Sequence, residues 1–215
     1  MSDIHVNEKL IIFLIFMPLF LLSLAIHEFA HAFTANKFGD DTAKRQGRLT
    51  LNPFKHIDLI GSVILPILSF FSGFALIGWA KPVPVDRRNL KDPLMHDAVI
   101  SAAGPFSNLM LAFVFMIILN LAANIQALHT DMVISVIGLG VYFNVFLFAF
   151  NLLPIPPLDG SHILFDIFPN KITAKLLNLG IYGTILLFLF IYSPLWDLFM
   201  KFVDFILQLF FMIKL

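Results

Sequence analysis

Four stretches of the chain are each long and apolar enough to cross a lipid bilayer, and no other sequence feature constrains the fold as strongly. A spanning helix needs about 20 consecutive apolar residues. The four stretches cover residues 10–36, 98–125, 131–153 and 174–193. Of the 215 residues, 59% are hydrophobic and only 13% are charged, which is about half the charged fraction of a soluble domain. The sequence therefore predicts an all-α polytopic membrane protein with five to six transmembrane helices.

The two ends of the chain need separate arguments. The first stretch lacks the basic flank and the short apolar core of a cleavable signal peptide, so we expect it to stay in the membrane as a helix. Residues 195–213 carry a polar stripe on one helical face, and this segment either packs that stripe against the bundle or lies in the membrane interface. The stripe consists of Asp197, Lys201, Asp204 and Gln208.

Residues 59–74 are apolar but short, and Pro66 lies in their middle. If this segment crosses the membrane, eight basic residues of the loops and tails lie on one side and five on the other. If it dips into the membrane and returns to the same side, twelve of these basic residues lie on one side and Lys9 alone lies on the other. The stronger bias favours the return. We therefore predict a re-entrant, β-like region between the first and second core helices, with the N-terminus outside and residues 37–97 in the cytoplasm. Backbone at that depth must line protein or a hydrated cavity.

Charge and cysteine content exclude several classes of function. The net charge is zero, so nothing indicates a nucleic-acid partner. The chain has no cysteine, which excludes thiolate-bound metals and a thiol nucleophile. Any metal must therefore be held by histidine and carboxylate groups. We expect one membrane-embedded domain over residues 1–215, with a core at 10–165 and C-terminal helices at 174–213, and without a PDZ-like insert.

The sequence His27-Glu28-Phe29-Ala30-His31 places an HExxH motif inside the first predicted helix. The spacing puts both imidazoles on one face, one turn apart, as tetrahedral zinc requires, while Glu28 lies beside them and can hold a water. Ionisable groups inside a membrane are costly and usually functional. A third ligand must come from elsewhere at the same membrane depth. Asp159 follows a proline-rich helix break, and the residues that stay open beside it are Asp166, His162, Asp58 and His56.

Three motifs together resemble the site-2 protease family of intramembrane zinc metalloproteases. They are HExxH, the run Gly104-Pro105-Phe106-Ser107-Asn108, and residues 151–160, which end in Leu-Asp-Gly. Residues 52–56 and 78–85 further resemble the short prokaryotic branch without a PDZ domain. The resemblance implies Zn²⁺ held by His27, His31 and Asp159, with Glu28 as the base that takes a proton from water.

The resemblance also implies a setting and partners. The site would lie towards the cytoplasmic side of the inner membrane of a bacterium or archaeon, and the substrates would be single-span transmembrane proteins. Regulators, if the protease has them, would be separate membrane proteins. The rival interpretations are a non-enzymatic membrane zinc-binding protein and a metal transporter. A transporter needs no glutamate beside its ligand histidine and usually shows an internal repeat, which this sequence lacks.

Two proline-containing segments, Trp79 to Val85 and Asn151 to Pro157, are predicted to be extended and to pair with the backbone of an unwound substrate. The alternative is that both segments are interfacial loops stiffened by proline. For Asn108, the alternative to a polar role near the site is that it caps or packs a helix. The candidate substrate-binding residues are Asn108, Asn151, Pro154, Trp79 and Val83.

Overall fold

The computed structural model describes residues 2–72, 78–126 and 130–212. These residues form α-helices, short 3₁₀ turns and one π-helical turn, and no β-strand is present among them. The α-helices are α1 (Ser2–Lys37), α2 (Thr42–Arg45), α3 (Leu65–Ser72), α4 (Pro93–Asn124), α5 (Asp131–Asn151), α6 (Asp159–Ile167), α7 (Lys171–Leu177), α8 (Ile181–Ile191) and α9 (Leu195–Met212).

Three helices in the described part of the chain are long and apolar enough to span a membrane: the Phe13–Lys37 part of α1, α4 and α5. They match the predicted stretches 10–36, 98–125 and 131–153. A fourth span is reached only if α7 and α8 are taken together. The five predicted crossings therefore stay a prediction.

The prediction of a single helix over residues 174–193 is wrong. α7 and α8 are separate helices that meet at an angle of 87°. The chain turns at Gly180, whose φ of +55° lies in the left-handed region that glycine adopts at little steric cost. The mean hydropathy of a twenty-residue stretch is the same with or without such a break, so hydropathy does not predict it.

Helix α4 is the centre of the bundle and packs against α1, α5 and α6. Aromatic and aliphatic side chains join α1 to α5, with Phe16 and Phe20 against Phe143. A second apolar cluster joins α4 and α5 to α9. These contacts set the HExxH turn of α1 against the middle of α4.

The polar stripe of residues 195–213 does not pack against the bundle. In α9 the buried positions are Phe199, Val203 and Leu207, which are spaced at helical intervals and face α5. The stripe is exposed on the other faces. Of the two predicted alternatives, the interfacial one is therefore compatible with the structure.

The segment between α1 and α4 leaves the loop region and comes back to it. A π-helical turn at Leu59–Ile64 continues into α3, and the two together are about 21 Å long, short of the roughly 30 Å of a bilayer core. After residues 73–77, which lie outside the described ranges, the N–H of Trp79 donates to the carbonyl of Gly61 at 3.0 Å. The ends of the segment are therefore adjacent, as the re-entrant arrangement predicts.

The two proline-containing segments differ from each other. Residues 79–86 have no regular secondary structure and form no β-ladder, so the extended conformation of Trp79 to Val85 stays a prediction. Residues 151–157 are not extended, which corrects the prediction. They fold as consecutive turns, with the N–H of Leu153 on the carbonyl of Phe150 and the N–H of Leu158 on that of Ile155. The prolines stop α5, but the turns consume backbone groups that an edge strand would offer.

Candidate metal centre and active site

The structure brings His27, His31 and Asp159 to one point. The unbroken helix at 27–31 sets the two imidazoles 4.6 Å apart, centroid to centroid, and their Nε2 atoms are 3.0 Å apart. Asp159 is the first residue of α6. Its Oδ2 is 3.2 Å from Nε2 of His27, and its Oδ1 is 3.5 Å from Nε2 of His31. In the described ranges this is the single cluster of three or more potential metal ligands.

Both histidines turn their other ring nitrogen away from the cluster. Nδ1 of His31 is 2.7 Å from the carbonyl of Ile100, and a carbonyl can only accept, so Nδ1 carries the hydrogen. Nδ1 of His27 is 2.6 Å from Oδ1 of Asn108, which is likewise an acceptor. In neutral rings both Nε2 atoms therefore point unprotonated lone pairs towards each other and towards Asp159.

These three ligand groups fit a zinc ion. Three acceptors in contact repel one another unless a cation lies among them, and Oδ2 of Asp159 is buried without a hydrogen-bond partner. Two imidazoles and one carboxylate are a common set for catalytic zinc, whose bonds of about 2.0 Å put tetrahedral ligand atoms about 3.3 Å apart. The observed separations of 3.0, 3.2 and 3.5 Å bracket that value.

Electrostatics keep the carboxylate charged. Burial alone would raise the pKa of Asp159, but when the ring of His31 or His27 is protonated, its charge and hydrogen bond hold that pKa below its usual range. The side chain is therefore an anion at neutral pH, the form in which a carboxylate binds metal.

Glu28 lies beside the cluster and is not part of it. The residue is 8% exposed, and its Oε2 accepts a hydrogen bond of 2.8 Å from the backbone N–H of Val83. The 79–86 segment thus contacts the acidic group of the motif. Sequence reasoning did not foresee that a backbone amide would hold Glu28, because proline content predicts an extended chain but not its neighbour.

Gly104 explains why the second motif lies where it does. A Cβ at this position would be 2.3 Å from Nε2 of His31 and 2.7 Å from Cε1 of His27, so α4 can approach the histidines only at glycine. One turn later Asn108 is fully buried and its amide contacts His27, Ser23 and Asn144. These contacts associate Asn108 with His27, a histidine of the candidate metal cluster.

The remaining predicted substrate-binding residues lie apart from these contacts. Asn151 donates from its amide to the carbonyl of Leu147 in its own helix at 3.0 Å, and Pro154 is exposed. Trp79 is 46% exposed and packs over Gly61. A role for these residues in binding substrate stays a prediction.

The four open alternatives for the third ligand lie elsewhere. Asp166 contacts Arg87, and His162 faces Asp97 at 3.5 Å. His56 bonds the carbonyl of Thr50, and Asp58 caps the π-helical turn.

Sequence reasoning missed Asn144, which lies 0% exposed in the middle of an apolar span. Its polarity in that setting was the available signal, since buried polar groups in membrane helices are usually retained for a reason. The carbonyl of Ile100 carried no signal of any kind, because every residue has one.

Comparison with known proteins places this site in a family. Residues 119–191 match the model of peptidase family M50. The chain is 42% identical over 179 residues, 81% of its length and 78% of the relative's, to "Putative zinc metalloprotease YwhC" of Bacillus subtilis. It is 38% identical over 159 residues to "Putative zinc metalloprotease Rip2" of Mycobacterium tuberculosis, covering 69% of this chain and 55% of that one. A shorter match, 42% over 66 residues, covers 30% of this chain and 31% of "Putative zinc metalloprotease MJ0611" of Methanocaldococcus jannaschii. No solved structure matches the chain.

The chain belongs to the M50 (site-2 protease) family and is a zinc metalloprotease. The predicted resemblance, enzyme class and metal are thereby confirmed. The relatives favour this class over a non-enzymatic zinc-binding protein or a metal transporter. The apolar helices agree with a membrane protein.

Proposed function

We propose that this protein cleaves peptide bonds of transmembrane segments inside the membrane, with Zn²⁺ held by His27, His31 and Asp159 and with Glu28 as general base. The observation that carries the proposal is the convergence of the three ligand groups within apolar helices, next to a buried glutamate that is not one of them. When bound, zinc supplies a Lewis acid that polarises a water and the scissile carbonyl.

Residues of the protein itself carry out the proton transfers and exclude bulk water. Glu28 accepts a proton from the attacking water and returns it to the leaving amine. The hydrogen bond from the N–H of Val83 holds one carboxylate oxygen of Glu28 in place and leaves the other for the water. Burial of Glu28 among apolar helices excludes bulk water from the proton transfer.

Substrate binding has to solve a problem that soluble metalloproteases do not meet. A transmembrane segment arrives as a helix, and opening one turn in lipid exposes amides at a cost of several kcal/mol each. The 79–86 segment lies beside Glu28. Trp79, Lys81 and the N–H of Val83 already bond within the protein, so we propose that an unwound substrate pairs with other backbone groups of this segment. Residues 151–157 are not proposed for this, because their turns use backbone groups internally.

The proposed setting is the cell membrane with the site towards the cytoplasm. Single-span membrane proteins are the proposed substrates. Loops that contact one another carry most of the basic residues, and this is the distribution expected for the cytoplasmic face.

The decisive experiment compares the only two glutamates of the chain, Glu28 and Glu8. Glu28→Gln should retain zinc and lose cleavage of a single-span substrate in proteoliposomes by at least about 100-fold. Glu8→Gln is the matched control, since Glu8 lies about 30 Å away along the same helix, and it should keep full activity. Cleavage by zinc-loaded Glu28→Gln would overturn the assignment of the base. Loss of zinc from that variant would place Glu28 among the ligands.

A further inference from the structure

We propose that Asn144 of α5 fixes the tautomer of His27 by acting through Asn108, and so keeps Nε2 of His27 free to bind metal. The inference rests on the proposed role of His27 as a zinc ligand. Three residues from three helices form what we term the polar relay: Ser23 of α1, Asn108 of α4 and Asn144 of α5. All three are 0% exposed.

Backbone carbonyls can only accept hydrogen bonds, and they determine which atom donates in each hydrogen bond of the relay. The amide of Asn144 is 2.9 Å from the carbonyl of Gly140, which can only accept, so the amide nitrogen faces it. The hydroxyl of Ser23 donates to the carbonyl of Leu19 at 2.8 Å. Its oxygen is therefore free to accept the second N–H of Asn144, at 3.0 Å.

This leaves Oδ1 of Asn144 facing Asn108 as an acceptor. The amide of Asn108 therefore donates one N–H to Oδ1 of Asn144 at 3.0 Å and the other to the carbonyl of Ser23 at 3.2 Å. Its own oxygen must then point towards Nδ1 of His27, 2.6 Å away. Only a hydrogen on Nδ1 satisfies that oxygen, so the hydrogen is kept off Nε2.

The opposite orientation of Asn108 would set its NH₂ group against Nδ1 of His27. That arrangement favours the tautomer with hydrogen on Nε2, the atom that faces Asp159, and a protonated Nε2 cannot bind a metal. Asn144 therefore acts on the metal site as a positioning residue. Partners of this kind change metal affinity by about 10- to 100-fold.

The second histidine is held differently. Nδ1 of His31 donates to a backbone carbonyl, that of Ile100, and a backbone carbonyl has no alternative orientation. The relay is therefore expected to act on His27 alone.

The test measures the apparent affinity of the full-length purified protein for Zn²⁺ by competition with a chromophoric chelator, together with the thermal unfolding of the zinc-free protein. Asn144→Leu should bind Zn²⁺ about 10-fold more weakly. The matched control is Asn120→Leu, because Asn120 of α4 donates within its own helix, to the carbonyl of Met116 at 3.0 Å. The control should stay within about twofold of the wild type.

A double variant separates the relay from a general packing effect. Because Asn144 acts through Asn108, Asn144→Leu added to Asn108→Ala should weaken Zn²⁺ binding no further than Asn108→Ala alone. Two independent effects would instead multiply. If Asn144→Leu fails to fold, Ser23→Ala serves in its place, since it removes one acceptor of Asn144 and should give a smaller loss of the same kind.

Equal affinities for Asn144→Leu and Asn120→Leu, or multiplying losses in the double variant, would overturn the inference. The His27→Ala variant is measured alongside. Undiminished Zn²⁺ binding by His27→Ala would refute the ligand assignment itself, whatever the Asn144 variants show.

Discussion

At the scale of single residues, the site depends on how closely α4 approaches the HExxH turn. Gly104→Ala should weaken zinc binding by at least about 10-fold and destabilise the fold by about 1–3 kcal/mol, since its Cβ would collide with His31. Gly138→Ala is the matched control, because Gly138 also lies in a spanning helix and a Cβ there meets open space. The measurements are zinc content after dialysis and thermal unfolding in detergent. Normal zinc binding by Gly104→Ala would show that the helices can separate without loss of the site.

The third ligand is the next residue to test. Asp159→Ala should lose zinc and activity together, because the two histidines alone leave the ion with too few protein ligands. Asp166→Ala, in the same helix, should keep far more zinc than Asp159→Ala, because Asp166 lies outside the ligand cluster and supports it only through its contact with Arg87. Zinc quantification by atomic emission on both purified variants distinguishes the two. The reverse result would move the ligand role to Asp166.

At the scale of helices and loops, one arginine joins the pieces that carry the site. Arg87 contacts Asp97 near the start of α4 and Asp166 near the end of α6, the latter at 2.9 Å. Both carboxylates are buried, and His162 also faces Asp97. Since α6 begins with the proposed ligand Asp159, this cluster helps to hold that carboxylate against α1.

The cluster makes stability depend on pH in a defined direction. Burial, and then the charge of Asp97, raise the pKa of Asp166 to about 7, above the usual value of about 3.9. Between these values the folded protein holds a proton that the unfolded chain has lost, so the contribution of Asp166 to stability falls as pH rises from about 4 to about 7. Arg87→Met should therefore cost about 3 kcal/mol at pH 8 and less at pH 5.5, where Asp166 can be neutral.

Thermal unfolding of both proteins at the two pH values tests this prediction. Arg88→Met is the matched control, because Arg88 is exposed and pairs only with Asp86 of its own loop among the ion pairs of the described residues. It should cost less than about 1 kcal/mol at either pH. A loss for Arg87→Met that is the same at pH 5.5 and pH 8 would contradict the raised pKa of Asp166.

The sequence predicts α1, α4 and α5 well, because a run of twenty apolar residues has few folded alternatives in lipid. It does not predict the break at Gly180 or the turns at 151–157, since these depend on a few backbone angles within an apolar or proline-rich average. The motif and the resemblance predict the three candidate ligands, which the structure brings together. The sequence does not predict the relay through Asn144, because the relay depends on how α5 is rotated against α4. Hydropathy carries no information about that rotation.

At the scale of the whole molecule, the two long loops on either side of α3 lie together. Arg48 donates to the carbonyl of Lys81 at 2.6 Å, and the N–H of Asp86 donates to Asp40 at 2.8 Å. Both loops must then be on the same side of the membrane. We expect this side to be the cytoplasmic one, because in the predicted re-entrant arrangement with five crossings twelve basic residues of loops and tails share it, against Lys9 alone.

Single cysteines can test this arrangement, because the chain has none of its own. Gln46→Cys and Lys91→Cys are exposed positions in the two loops, and both should react with an impermeant thiol reagent only when the cytoplasmic face is accessible. Ser2→Cys, at the opposite end of α1, should react from the outside in intact cells. Labelling of Gln46→Cys and Lys91→Cys from opposite faces would restore a crossing at 59–74. Labelling of both from the outside would keep the re-entrant segment but invert the protein, and would move the proposed cleavage site towards the outer face.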